Sequence, residues 1–175
     1  MAQAKTIIGR TAVARFPKEG DVDVPVKVDT GADTSSIWAS DIFVDEDGVL
    51  HFTLFDVESP YYSGKRHKTK NYDVRLVRSS NGIAQVRYRV KLSIHIADRQ
   101  VKGTFTLADR SKNTYPILIG CKLMHNKFLV DVSIAKPKQA ADHETSMMLT
   151  KELKKNPKAF FEKYHMNNKR GDIEQ

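Results

Sequence analysis

The 175-residue chain contains a single cysteine, Cys121, and no apolar run near the ~20 residues that a membrane-spanning helix needs. An intrachain disulfide is therefore excluded, and a reducing compartment is the simplest reading. The opening residues, Met1 to Arg10, lack the apolar stretch of a secretory signal, because Ile7-Ile8 is followed at once by Gly9 and Arg10. These absences lead to the expectation of a cytoplasmic protein with no membrane partner. Internal repeats and low-complexity segments are also missing. Hydrophobic residues make up 40% and charged residues 29%, a globular composition rather than a collagen-like or disordered one. The length suits one domain plus a short appendage.

What is present in excess is positive charge. Lys and Arg number 29 against 21 Asp and Glu, a net charge of +8 with an isoelectric point near 9.5. Such a balance suits nucleic-acid phosphates or acidic partners and substrates. No nucleic-acid motif accompanies the charge, and the basic residues are scattered. The exception is Lys65-Arg66-His67-Lys68-Thr69-Lys70, preceded by Tyr61-Tyr62. That cluster could grip nucleic acid by charge and stacking, but such clusters are more often solvated loops. Nucleic acid is therefore not the expected partner.

Most of the chain reads as strand. Thr11 to Phe16 and Val22 to Val28 are rich in β-branched residues, with turn residues Pro17 to Gly20 between them. Val24, Val26 and Val28 share one face of a period-2 pattern. Ile42 to Val44 and Val49 to Val57 flank Asp47-Gly48, a hairpin signal. Glu58 to Asn71 reads as a loop. Tyr72 to Arg78 and Ile83 to Ile96 flank the tip Ser79-Ser80-Asn81-Gly82. Val101 to Leu107, Ile117 to Ile119 and Phe128 to Ser133 complete the strands, with a brief helix expected at Lys122 to Asn126. From Ala135 the composition changes. The expected division is a β domain over residues 1–135 and a helical, partly frayed tail over 136–175. Within the tail, helices are expected at Asp142 to Lys155 and from Pro157. Leu153, Phe160, Phe161 and Tyr164 form an apolar stripe suited to docking on the domain.

Two strings carry chemistry. In Val26-Lys27-Val28-Asp29-Thr30-Gly31-Ala32-Asp33-Thr34, an apolar strand delivers a carboxylate and a glycine follows, so substrate can approach without meeting a Cβ. In Tyr115-Pro116-Ile117-Leu118-Ile119-Gly120, an apolar run ends on glycine 120 − 29 = 91 residues after Asp29. That run can pack beside the first strand and screen the Asp from water. Asp-Thr-Gly-Ala followed by apolar-apolar-Gly resembles the signature of retropepsin-like aspartic proteases. With Arg78 to Gly82 and Phe128-Leu129-Val130-Asp131, the chain resembles a bacterial branch of that clan over residues 6–134. Members of the branch carry the label ATP-dependent zinc protease, and some are associated with a RimK-type glutamate ligase.

The residues support neither half of that label. A zinc hydrolase string of His-Glu-x-x-His type fails at Met147 in His143-Glu144-Thr145-Ser146-Met147. The only Gly-Lys, Gly64-Lys65, lacks the flanking residues of a phosphate-binding loop. No metal and no cofactor are expected.

The resemblance implies an all-β fold, a closed barrel protomer with a short helix, to which this chain adds its helical tail. It also implies an aspartic endopeptidase. Peptide hydrolysis by this route uses two carboxylates sharing one proton, and the chain has one Asp-Thr-Gly. Asp131-Val132-Ser133 lacks the glycine. A homodimer is therefore expected, with Asp29 meeting its twin across a two-fold axis.

By resemblance, Asp29 is the acid/base, the Thr30 hydroxyl braces the opposite subunit, and Gly31 offers its carbonyl to substrate. Ala32, Asp33 and Thr34 are expected to contact substrate, as are Ile117, Ile119 and Gly120. Ser79, Ser80, Asn81 and Gly82 resemble the flap that closes over it. Many retropepsins carry an Arg after the apolar-apolar-Gly, able to pair with the acid two places past the catalytic glycine. Here that place holds Cys121, so Asp33 needs another partner, such as Lys122 or an Arg elsewhere. The association with a glutamate ligase suggests a peptide or protein substrate that is acidic or glutamate-tailed. The alternative is a catalytically inactive peptide- or nucleic-acid-binding module on the same fold.

Overall fold

A computed structural model describes residues 4–20, 22–78, 84–134 and 140–166. Two compact units divide the chain, residues 1–135 and residues 136–175.

The first unit is built on strands whose alternation buries one face. β1 (Thr6–Ile8) and β2 (Thr11–Arg15) are followed by a 3-10 turn at Pro17–Glu19. Gly20 ends that turn at φ 85°, a left-handed conformation that favours glycine. Then come β3 (Asp23–Val28), β4 (Ser35–Val44), β5 (Leu50–Leu54) and β6 (Arg66–Thr69). β7 (Tyr72–Arg78), β8 (Ala84–Ile96), β9 (Arg99–Ala108) and β10 (Ile117–Ile119) lead to α1 (Cys121–Met124) and β11 (Phe128–Val130).

Six strands pair in the order β10-β3-β2-β8-β9-β4. Antiparallel pairing of β10 with β4, Ile117 opposite Ile37, closes the barrel. Closure pairs the two end strands of this six-strand set, so neither is left as an open edge. β5 and β6 extend from β4, and β7 pairs with β8 to form a projecting hairpin. β1 and β11 form a separate parallel pair. Val24, Val26, Ile37, Ile94, Ile96, Phe105, Ile117 and Ile119 are buried in the core. Each such side chain contributes roughly 1.5–3 kcal/mol on burial.

Several boundaries differ from the sequence reading. Within the expected loop Glu58 to Asn71, Arg66–Thr69 forms a strand. Its residues are polar, so hydrophobic alternation does not reveal it. It is held by backbone pairing to β5, by His67 stacked on Phe52 at 5.1 Å, and by His67 Nε2 at 2.6 Å from the buried Glu19 carboxylate. β1 is too short to show a period, and it exists because it pairs with β11. β4 begins at Ser35, well before the expected Ile42. β11 stops at Val130, because Asp131 Oδ1 accepts from the Ser133 backbone and hydroxyl and turns the chain.

The second unit comprises α2 (Ala140–Lys155) and α3 (Pro157–Phe161), continued by a π-helical turn at Glu162–Met166. Asn156 caps α3 by accepting from Ala159 N at 3.1 Å. Glu152 holds Lys163 at 2.6 Å and Tyr164 at 3.0 Å. No helix among the described residues is long and apolar enough to cross a membrane.

Candidate active site

The two chemistry-bearing strings become neighbours through parallel pairing. Ile117, Leu118 and Ile119 stand opposite Val26, Lys27 and Val28. The ladder continues one step, with Asp29 N donating to Ile119 O at 2.9 Å. Asp29 therefore sits where a buried strand reaches the surface. Its Oδ1 accepts from Gly31 N at 2.9 Å and Ala32 N at 3.2 Å. The carboxylate is held by its own loop and remains partly exposed.

That loop is gripped from the other side by the start of α1. Cys121 N donates to Ala32 O at 2.7 Å, and Lys122 N donates to Asp33 O at 3.0 Å. Cys121 Sγ lies 2.9 Å from Thr30 O. Gly120 N donates to the buried Ser35 Oγ at 3.0 Å. The approach is so close that a Cβ on Gly120 would lie 2.7 Å from Ala32 O and 2.7 Å from Thr34 C. Only glycine fits there. Gly31 differs. Its φ is not in the left-handed region, and a Cβ there would meet only Asp29 Oδ1, at 3.4 Å. Open approach to the carboxylate, not backbone strain, is what its missing side chain provides.

Asp33 has the partner that Cys121 does not supply. Lys122 Nζ lies 3.2 Å from Asp33 Oδ2, with both side chains exposed. Thr30 and Gly31 are exposed, while Ala32 and Thr34 are half-buried.

Ile117 and Ile119, expected to contact substrate, lie in the core, each with 0% exposure. They back the Asp29 strand, and only the half-buried Leu118 lies between them. Gly120 is likewise buried and packs against the loop. Ser79, Ser80, Asn81 and Gly82 lie outside the described residues. The β7 and β8 arms that carry them are described and pair in register from Tyr72↔Val90 to Arg78↔Ala84.

Trp38 is half-buried, edge-on to Phe55 at 6.5 Å, and it lines a cavity with Asp56, Glu58 and Asp109. No group of three His, Cys, Asp or Glu side chains gathers in metal-binding geometry among the described residues.

Sequence reasoning passed over Ser35, whose hydroxyl receives the Gly120 amide, and three arginines. Arg75 and Arg87 face each other across the β7–β8 ladder. Arg110 lies in the connection to β10, where its Nε and Nη2 both donate to Tyr115 O, at 3.2 and 3.1 Å. Counting outward from the middle of the expected tip (81 − 6 and 81 + 6) would have found the first two.

Comparison with known proteins matches residues 7–139 to a family model described as RimB-like, retropepsin-like aspartic endopeptidase RimB. Curated relatives include a protein of Shewanella pealeana named "Probable alpha-L-glutamate ligase", 34% identical over 136 residues, 76% of this chain. A protein of the same name from Desulfotalea psychrophila is 25% identical over 134 residues, 75% of this chain. The chain spans about 30% of the length of these curated relatives. A solved Legionella pneumophila protein of unknown function is similar in fold, with a TM-score of 0.55 and 21% identity. The match covers 75% of this chain and 97% of that one.

Proposed function

The chain belongs to the RimB-like family of retropepsin-like aspartic endopeptidases, and from that premise we propose that it hydrolyses peptide bonds as a homodimer whose two Asp29 side chains form the dyad. The observation that carries this reading is the seating of Asp29. A carboxylate at the end of a core strand is oriented by two loop amides, at 2.9 and 3.2 Å, and left open on one side. One carboxylate cannot serve as both base and acid in one step. In a facing pair, the ionised member takes a proton from water while the protonated member polarises the scissile carbonyl. An isologous contact brings identical groups together.

Apolar surface suited to that contact lies beside the chain's own sheet pair. Ile7 and Leu129, paired across β1 and β11, are exposed, as are Val132 and Ile134. Thr30, exposed next to Asp29, is the residue that would brace the opposite subunit.

The expected substrate is an acidic or glutamate-tailed peptide or protein. The net charge of +8 favours it, as does the ligase name borne by relatives. A cytoplasmic location agrees with the single cysteine.

The test pairs sedimentation with peptide cleavage, for the unaltered chain and for Asp29→Asn. Cleavage that appears with dimer formation and is abolished in Asp29→Asn supports the reading. Cleavage by a monomer, or cleavage that survives in Asp29→Asn, defeats it. Peptide binding without cleavage by the unaltered dimer would assign the fold a binding role instead.

A further inference from the structure

β8 lacks a partner along part of one edge. β7 pairs with it as far as Tyr72↔Val90, and β2 takes up the same edge only at Arg15↔His95. β9 holds the other edge from Arg89 to Ile96. Among the described residues, Lys91 to Ile94 therefore have a strand on one side only. A cavity of about 330 Å³ opens beside this break, within the range of small-molecule sites, about 300–1,000 Å³. None of its lining residues belongs to the Asp29 loop, β10 or α1, so it is separate from the site described above.

The cavity has an apolar wall that carries one buried acid. Phe16, Phe52 and Leu92 line it. Glu19, 5% exposed, is the one acid in the lining among the described residues. Each of its oxygens has a neighbour: Oε2 accepts from Ser63 Oγ at 2.6 Å, and Oε1 lies 2.6 Å from His67 Nε2. That contact and stacking on Phe52 at 5.1 Å fix the His67 ring. With Nε2 against Glu19, Nδ1 is the polar atom the ring has left for a ligand. The opposite wall is cationic. Ser93 stands opposite Lys102 in the β8–β9 ladder, so the two share a face, and Lys91 lies two residues along on that face. Lys68, next to His67 on β6, is the third lysine of the lining. All three are exposed, and none forms an ion pair among the described residues. Three ammonium groups against one carboxylate leave the cavity net positive.

We propose that this cavity binds a small organic phosphate, a phosphate monoester on an apolar body. The body lies against Phe16, Phe52 and Leu92, and the phosphate faces Lys68, Lys91 and Lys102. Lysine meets phosphate oxygens as a point charge, whereas two-point reading of a planar carboxylate favours the fork of arginine. No arginine lines the cavity among the described residues. The His67 ring favours phosphate for a second reason. The second proton of a phosphate monoester has a pKa of about 6, so near neutral pH one proton can lie between a phosphate oxygen and Nδ1. A carboxylate, with an ordinary pKa of about 4, brings no such proton. Asn71 and Ser93 add neutral donors to the lining. A ligand held here also touches both roots of the β7–β8 hairpin, Asn71 before β7 and Lys91 after its last pair.

The experiment uses the full chain, with phenyl phosphate, inorganic phosphate and benzoate as probes. Affinity is read by calorimetry, and the His67 ring signals are followed by NMR. Phenyl phosphate should bind at least tenfold more tightly than either of the others and should shift the His67 signals. Its affinity should fall at least tenfold in the double variant Lys91→Gln with Lys102→Gln. Both lysines are exposed, so that variant should melt near the parent. The same charge removed elsewhere, by Lys5→Gln with Lys112→Gln, should leave the affinity within about twofold, as an effect of net charge alone would not. Unchanged affinity in the folded Lys91→Gln, Lys102→Gln chain overturns the proposal. So does inorganic phosphate or benzoate binding as tightly as phenyl phosphate. A phosphotyrosine pentapeptide that binds as tightly as phenyl phosphate assigns the phosphate to a modified chain and overturns the small-molecule ligand. Asp29→Asn should bind phenyl phosphate as the parent does, and loss of binding there places the ligand at the other site and overturns the proposal. No measurement here depends on peptide cleavage, so the outcome is independent of the peptidase reading.

Discussion

Replacing Gly120 by Ala tests the packing that joins the two strings. The new Cβ would lie 2.7 Å from Ala32 O, 2.7 Å from Thr34 C and 2.9 Å from Thr34 O. All three are backbone atoms, so no side chain can swing aside. The loop must move, and overpacking of this kind costs typically ~1–3 kcal/mol. Moving it also stretches two hydrogen bonds, Cys121 N to Ala32 O at 2.7 Å and Gly120 N to Ser35 Oγ at 3.0 Å. A buried group left unpaired costs a further ~1–3 kcal/mol. The two effects share one displacement and do not add in full, so a loss of about 2–4 kcal/mol is expected. With an m-value of about 1–3 kcal/mol/M in urea, the unfolding midpoint should drop by roughly 1–2 M. The internal control is Gly31→Ala. Its Cβ meets only Asp29 Oδ1, at 3.4 Å, at a φ that alanine accepts, so its stability should stay within about 1 kcal/mol of the parent. Equal urea midpoints for the two variants would refute the claim that the β10–loop junction is closed to anything but glycine.

Ser35→Ala removes the buried acceptor of the Gly120 amide. It should cost about 1–3 kcal/mol in the same urea experiment, and a change under 0.5 kcal/mol (roughly the scatter of a neutral surface substitution) would count against the bond. Ile117→Ala empties a fully buried site. It should destabilise by ~2–5 kcal/mol by calorimetric melting, whereas a residue that merely touched substrate would leave the melting temperature near the parent's. Asp45 is held below its ordinary value of 3.8, first by the His51 hydrogen bond at 2.7 Å and then by Val49 N. Its folded value lies below its unfolded one, so its contribution to stability is complete above the ordinary carboxylate range. That contribution disappears as pH falls through the depressed folded value. A carboxyl carbon titration by NMR should give a midpoint under 3.8, and a midpoint at or above it contradicts the His51 contact. Lys122→Ala breaks an exposed pair with Asp33 and should change stability by less than about 1 kcal/mol in a double-mutant cycle with Asp33→Asn.

Alternation in Val24-Val26-Val28, the pairing of the β7 and β8 arms and the glycine after Ile119 were legible because each is local. A period of two, a turn residue or a motif is written within a few positions. From them the linear chain determined the strand-rich class, the seating of Asp29 at the end of a core strand, and the change to helix in the tail. Arg66–Thr69 and Thr6–Ile8 were not legible, since their pairing energy belongs to partners elsewhere in the sequence. The full burial of Ile117 and Ile119 was not legible for a related reason: a motif names residues without saying which side of the barrel wall they face. Tertiary structure alone decided that Lys122 pairs with Asp33, that Ser35 receives the Gly120 amide, and that Arg75 stands opposite Arg87. Each of these depends on distances between groups far apart in the chain, set by barrel closure and strand register and carried by no local pattern.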